Sequence, residues 1–129
     1  LMGSPVDALI VTYGMGVHWA LEEAERLRSE GMGEVGVLDL RTLAPLDWEA
    51  VFDASAQAGR VLVLHEDNLT GGIGAEIAAR VQENCFSHLD APVSRVASLD
   101  TPIPFAPNLE AEYLPRQRLT QALEALLAY

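Results

Sequence analysis

Two stretches of this chain are apolar almost without a break, and each runs into a turn that opens a helical pattern. Ala8–Tyr13 (ALIVTY) leads into Gly14-Met15-Gly16, and Val61–His65 (VLVLH) leads into Glu66-Asp67-Asn68-Leu69-Thr70-Gly71-Gly72. A strand that is apolar on both faces must be covered on both faces. Parallel sheets with crossover helices provide that cover, whereas one-sided antiparallel sheets do not. Two more β-type runs, Val35–Leu40 (VGVLDL) and Val93–Ser98 (VSRVAS), follow at similar spacing.

Helical patterns fill the intervals. Val17, Ala20, Leu21, Ala24 and Leu27 recur at helical spacing, with Gly31 placed as a C-terminal cap. Asp47 is an N-cap ahead of an apolar stripe of Trp48, Val51 and Phe52, and Gly59 closes that helix. Ile73, Ile77, Ala78 and Val81 mark a third helix starting in the glycine turn. A last helix begins near Pro115 and aligns Leu119, Ala122, Leu123 and Leu126. Alternation of this kind specifies an α/β domain of three layers, α/β/α, on a mainly parallel sheet. The chain of 129 residues suits one such domain over 7–129, with residues 1–6 read as a tag remnant or linker.

Only Leu99–Leu114 (LDTPIPFAPNLEAEYL) breaks the rhythm, with three prolines, two aromatics and no clear period. A long connection of this type either carries an interface, through residues such as Phe105, Leu109 and Tyr113, or covers the domain's own sheet edge.

Composition narrows the partners. Net charge is −11, and all eight basic residues are arginine. That balance excludes a nucleic-acid backbone, whose binding draws on cationic side chains, and favours a basic protein partner. No apolar run approaches the roughly 20 residues that span a bilayer, so a membrane-spanning role is excluded. Cys85 is the only cysteine, which rules out an internal disulfide and reads as a buried structural residue in a reducing compartment.

The two glycine turns invite a nucleotide-site reading. Gly14-Met15-Gly16-Val17-His18-Trp19 follows the first strand, and Asp39 ends the second strand where a ribose acid would stand. Tryptophan, however, occupies the place of the third glycine. Gly72-Ile73-Gly74-Ala75-Glu76-Ile77 fails in the same place with isoleucine, and Glu66, Asp67 and Glu76 would repel a phosphate. His65-Glu66-Asp67-Asn68-Leu69 lacks the second histidine of a zinc helix and follows a strand. A strand-end histidine more commonly bonds the neighbouring loop backbone. Asp39 and Arg41 leave the second strand at an edge where sites form, but no nucleophile accompanies them, and Arg41 reads as a loop tie or a subunit contact. The residues thus specify no catalytic, cofactor or metal group, and leave open a nucleotide-binding module or a structural dimerisation domain.

Taken together, ALIVTYGMGVHWALEEAERL, VLDLRTLAPLDWEAV, VLVLHEDNLTGGIGAEIAARVQENCFSHLDAPVSRV and DTPIPFAPNLEAEYLP resemble, in order, one known domain. It is the C-terminal domain of the transketolase superfamily, in the form found in beta subunits of 2-oxo acid dehydrogenases. ENCFSHLDAPVSRV and DTPIPF are most similar to the branched-chain (2-oxoisovalerate) beta subunit, with the pyruvate and acetoin enzymes close behind. The resemblance implies a fragment of an enzyme that uses thiamine diphosphate and magnesium to decarboxylate 2-oxo acids oxidatively and acylate lipoyl groups. The cofactor would lie between the alpha subunit and the N-terminal beta domain, so no catalytic residue carries over to this chain. What the resemblance leaves to it is pairing with a second beta subunit and docking the basic subunit-binding domain of the dihydrolipoyl acyltransferase. Candidate subunit contacts are Arg41, His65, Glu66, Phe105 and Tyr113; candidate docking residues are Asp90, Asp100 and the terminal Tyr129. The implied location is a bacterial cytoplasm, or the mitochondrial matrix in a eukaryote.

Overall fold

The computed structural model describes residues 5–129; the expected tag remnant at residues 1–4 lies outside the described residues. Its elements are β1 (Ala8–Thr12), α1 (Met15–Ser29), β2 (Val35–Asp39), α2 (Trp48–Ala58), β3 (Val61–Asn68), α3 (Ile73–Cys85), β4 (Ser94–Ser98), α4 (Pro107–Tyr113) and α5 (Arg116–Leu127), with one 3₁₀ turn at Phe86–His88. The four strands lie in the order β2-β1-β3-β4, and every pairing is parallel.

Alternation along the strands builds the layers. Ala8, Ile10, Leu62, Leu64 and Val96 point to one face and pack with Ala20 and Leu27 of α1 and Leu119, Leu123 and Leu126 of α5. Leu9, Val11, Val61 and Val63 point to the other, against Val51 of α2 and Ile77, Val81 and Cys85 of α3. The unbroken apolar runs of β1 and β3 are therefore explained by two cores, one on each face of the sheet. Burial raises the Cys85 thiol pKa, Asp53 adding to the effect, and the thiol donates to the Phe52 carbonyl at 3.5 Å, which marks it as structural.

Local signals account for most boundaries. Asp47 caps α2 by accepting from the Ala50 N–H at 3.0 Å, and Gly59 ends it in a left-handed conformation. Buried Glu23 is satisfied by Arg26, which also reaches Glu124 at 2.9 Å and so ties α1 to α5. Two expectations change. β3 runs three residues beyond His65, because Asn68 still pairs with Ser98 across an irregularity in register. The stretch expected to lack periodicity contains a short helix, α4, started by Pro107 in its first turn.

Arg118 guards the exposed flank of β4. Its guanidinium donates to the carbonyls of Ala97, Glu112 and Tyr113 at 2.7, 2.9 and 3.2 Å, occupying an outward acceptor of the edge strand and pinning the end of α4. A charge at this place discourages another strand from adding to the sheet.

Candidate functional site: the carboxyl edge of the sheet

Between β1 and β3 the chain order of the sheet reverses, and open α/β sheets bind ligands beyond the carboxyl ends of such a pair. His65, 2 % exposed, lies on β3 just past the level where β1 ends, Thr12 pairing with Leu64. The ring Nδ1 donates to the Asp67 carbonyl at 3.2 Å, and Nε2 accepts from the Gly74 N–H at 3.0 Å. These two bonds assign the neutral tautomer with the proton on Nδ1. Tyr13 stacks beside the ring, centroids 6.2 Å apart. Desolvation pushes the His65 pKa down, and Arg95 adds to the shift against an opposing pull from Asp67.

The imidazole explains the glycine turn. A Cβ on Gly72 would collide first with the Asn68 carbonyl and then stand 2.7 Å from His65 Cε1, and one on Gly74 would collide with Nε2. The glycines are there to admit a side chain of the same domain. His65 behaves as a cap for α3, accepting one of the helix's free N–H groups where no capping side chain precedes it. A strand-end histidine bonding the nearby loop backbone is the arrangement the sequence led us to expect.

A diphosphate does not fit this turn. The Gly74 N–H that would face a phosphate oxygen is committed to the ring, and exposed Glu66 and Asp67 add negative charge beside it. The first glycine turn is no better: Glu66 lies under Gly14, and Gly16 packs directly on Thr12. Among the described residues, no three His, Cys, Asp or Glu side chains converge as metal ligands, and no helix is long and apolar enough to cross a membrane.

The loop after His65 grips the segment after β4. Asn68 donates its side-chain amide to the Leu99 carbonyl at 2.6 Å and the Thr101 carbonyl at 3.3 Å. Thr70 gives Asp100 two bonds, 2.9 Å from its N–H and 2.6 Å from its hydroxyl. Those bonds, hydroxyl first, lower the Asp100 pKa. The Leu69 N–H reaches the Ser98 carbonyl, and Arg95 reaches the Leu69 carbonyl. This grip presents Ile103, 67 % exposed, and Phe105, 99 % exposed, with exposed Leu99 and Leu109 nearby in sequence.

The candidate residues divide clearly. Arg41, Glu66 and Phe105 are exposed; Arg41 and Phe105 follow the carboxyl ends of β2 and β4, and Glu66 lies in the last residues of β3 itself. Arg41 pairs with Asp39, the loop tie considered from sequence. His65 and Tyr113 are buried, Tyr113 being 5 % exposed, so their side chains act inside the domain and a subunit could meet only their neighbours. Asp100 joins the carboxyl edge through Thr70. Asp90 lies at the opposite edge, its amide bonded to the Gly59 carbonyl just ahead of β3. The end of α5 returns to that edge too, Leu127 lying against Gly33 ahead of β2, with Tyr129 exposed two residues on. The three docking candidates are thus not one cluster. Sequence reading takes these glycines, Gly72 and Gly74, as allowing a sharp turn and close helix–sheet packing; that the group they make room for is the His65 ring emerges from the structure.

The open parallel sheet, with helices on both faces, defines a three-layer α/β domain. The chain belongs to the transketolase C-terminal domain family, whose model matches residues 4–118. It is 44 % identical over 109 residues to the 2-oxoisovalerate dehydrogenase subunit beta of Bacillus subtilis, covering 84 % of this chain and 33 % of that protein. It is 41 % identical over 125 residues to the 3-methyl-2-oxobutanoate dehydrogenase subunit beta of Mycobacterium tuberculosis, covering 96 % of this chain and 36 % of that one. A solved structure, a split gene transketolase described as an inactive beta4 tetramer, superposes with a TM-score of 0.76 at 26 % identity, over 97 % of this chain and 40 % of that one. The chain therefore spans about a third of the length of the curated relatives it matches.

Proposed function

We propose that this chain is the C-terminal assembly domain of a beta subunit in a 2-oxo acid dehydrogenase, most closely of the branched-chain, 2-oxoisovalerate type. In this reading it carries out no chemistry alone. It braces the layer formed by the alpha subunit and the N-terminal beta domain, where thiamine diphosphate and magnesium would bind. It also pairs with a second beta subunit and docks the basic binding domain of the acyltransferase.

The observation that carries the reading is the carboxyl edge. Buried His65 secures the turn there, and the segment after β4 carries Ile103 and Phe105, 67 % and 99 % exposed. Large apolar side chains held out by a hydrogen-bonded loop suit a protein contact. Asp90 and Tyr129, at the other edge, leave that side for acyltransferase docking, with an overall charge of −11 to attract a basic partner.

Calorimetric titration of thiamine diphosphate and magnesium into the 129-residue chain tests the first claim. No binding heat is expected at millimolar cofactor, and turnover of 2-oxoisovalerate should require added alpha subunit and N-terminal beta domain. Micromolar cofactor binding, or turnover by the chain alone, rejects the assembly reading. For docking, binding to the basic subunit-binding domain should weaken steeply with salt; no binding at any ionic strength would reduce the role to subunit pairing.

A further inference from the structure

His65 stands where a proton could act at a distance. Its Nε2 faces an N–H donor, that of Gly74, so protonating this nitrogen would set two donors against each other and leave a buried cation at the positive end of α3. The surrounding groups do little to shelter such a charge. Just after β1, Tyr13 stacks on the ring as a neutral phenol, and β4 contributes Arg95, a second cation. Of the acids on β3 beyond the ring, Glu66 and Asp67 are exposed, and the pull of Asp67 towards the charged form is outweighed by burial. Helix α3 offers Gly74, with no side chain, after Gly72 at its N-cap, and its first-turn acid Glu76 is exposed and engaged by Arg80 at 2.7 Å.

The turn that His65 secures is the one that positions the arm. Residues 68–70 hold Leu99, Asp100 and Thr101 through the bonds of Asn68 and Thr70, and Phe105 follows four residues later. We propose that His65 is a proton-sensitive latch: its neutral ring locks the turn from β3 into α3 and so fixes the 99–105 segment, and protonation frees that segment. The consequence for assembly rests on reading Ile103 and Phe105 as contact residues; the latch itself does not.

Burial already holds the ring neutral, with the folded-state pKa below the ordinary 6.5. The sign follows. The unfolded or unlatched form binds the proton more readily, so the ring's stabilising contribution is complete above about pH 6.5. It is lost progressively as pH falls from there through the folded-state value.

The test uses nitrogen NMR of the histidine rings and amide hydrogen exchange on the 129-residue chain, with a His65→Gln variant. Glutamine can accept from the Gly74 N–H but does not titrate. At pH 7.5 the His65 ring should carry its proton on Nδ1. Across the window below pH 6.5, protection at Thr70, Gly74, Leu99 and Thr101, corrected for intrinsic exchange, should fall about tenfold per pH unit. Amides of β1 and α5 should hold, and H65Q should be flat. A proton on Nε2, or a His65 that protonates while these four amides keep their protection, overturns the latch. If H65Q does not fold, the wild-type ring and amide data decide alone. Normal exchange coupling in a chain whose Phe105 variant still assembles upholds the latch and rejects only the interface reading.

Discussion

At the scale of single residues, the histidine and the glycines around it act as one unit. Gly71 and Gly74 stand three positions apart in the same turn yet should answer alanine differently. At Gly71 the φ of 80° is the difficulty, since nothing lies within 4 Å of an added Cβ, and strain of about 1–2 kcal/mol is expected. At Gly74 the backbone is helical, and alanine would normally gain about 1 kcal/mol there. Instead the new methyl group meets His65, and displacing a packed ring should produce a net loss of about 1–3 kcal/mol. Urea unfolding at pH 7.5 separates the two. In Gly74→Ala the histidine ring signals should also move, whereas in Gly71→Ala they should stay. A Gly74→Ala chain as stable as the wild type would mean that the ring is not held where the structure places it. Sequence reading reached the histidine's backbone role because strand ends leave loop carbonyls unpaired. It could not reach the group that the glycines make room for, since a residue without a side chain records nothing about which neighbour needs the space.

At the scale of elements, what was legible is what has a period or a cap. The unbroken apolar runs of β1 and β3 called for cover on both faces of the sheet, where the two cores lie, and Asp47 and Gly59 bounded α2 to the residue. The short α4 was not legible: seven residues that begin on the third of three closely spaced prolines have too few turns to show a stripe. The reason it forms lies elsewhere in the chain, in Arg118, which reaches back from α5 to the carbonyls at its end. Replacing Arg118 by alanine should strip donors from the Ala97, Glu112 and Tyr113 carbonyls at once, at a cost of about 1–3 kcal/mol. Hydrogen exchange should show α4 opening before the rest of the molecule. The same change uncovers the flank of β4, so light scattering at raised concentration should report self-association. Lysine should restore little, because one ammonium cannot fork across three carbonyls from two elements. An alanine variant with α4 still protected would show that the proline start and Tyr113 burial suffice.

For the molecule as a whole, the parallel sheet sorts surface chemistry by edge. Every strand ends on the same side, so the last residues of β3 and the turns that follow β2 and β4 bring Glu66, Arg41 and the Ile103–Phe105 arm towards one edge, while α5 carries Tyr129 back towards the other. This sorting makes folding and assembly separable. Ile103 and Phe105 contribute almost nothing to either core, being 67 % and 99 % exposed. Replacing both by serine should therefore leave the unfolding midpoint within about 0.5 kcal/mol of the wild type. If the carboxyl edge is the subunit face, the same pair of changes removes a contact centre of about 2 kcal/mol or more, weakening assembly on the order of thirtyfold. Sedimentation of the variant with the alpha subunit and the N-terminal beta domain reads this directly. Docking of the basic acyltransferase domain at the opposite edge should be untouched in the variant and should still fall with salt. Assembly at wild-type strength would remove the carboxyl edge from the contact surface. Loss of both assembly and docking would show instead that the two edges are not independent, and that the sheet transmits what one face feels to the other.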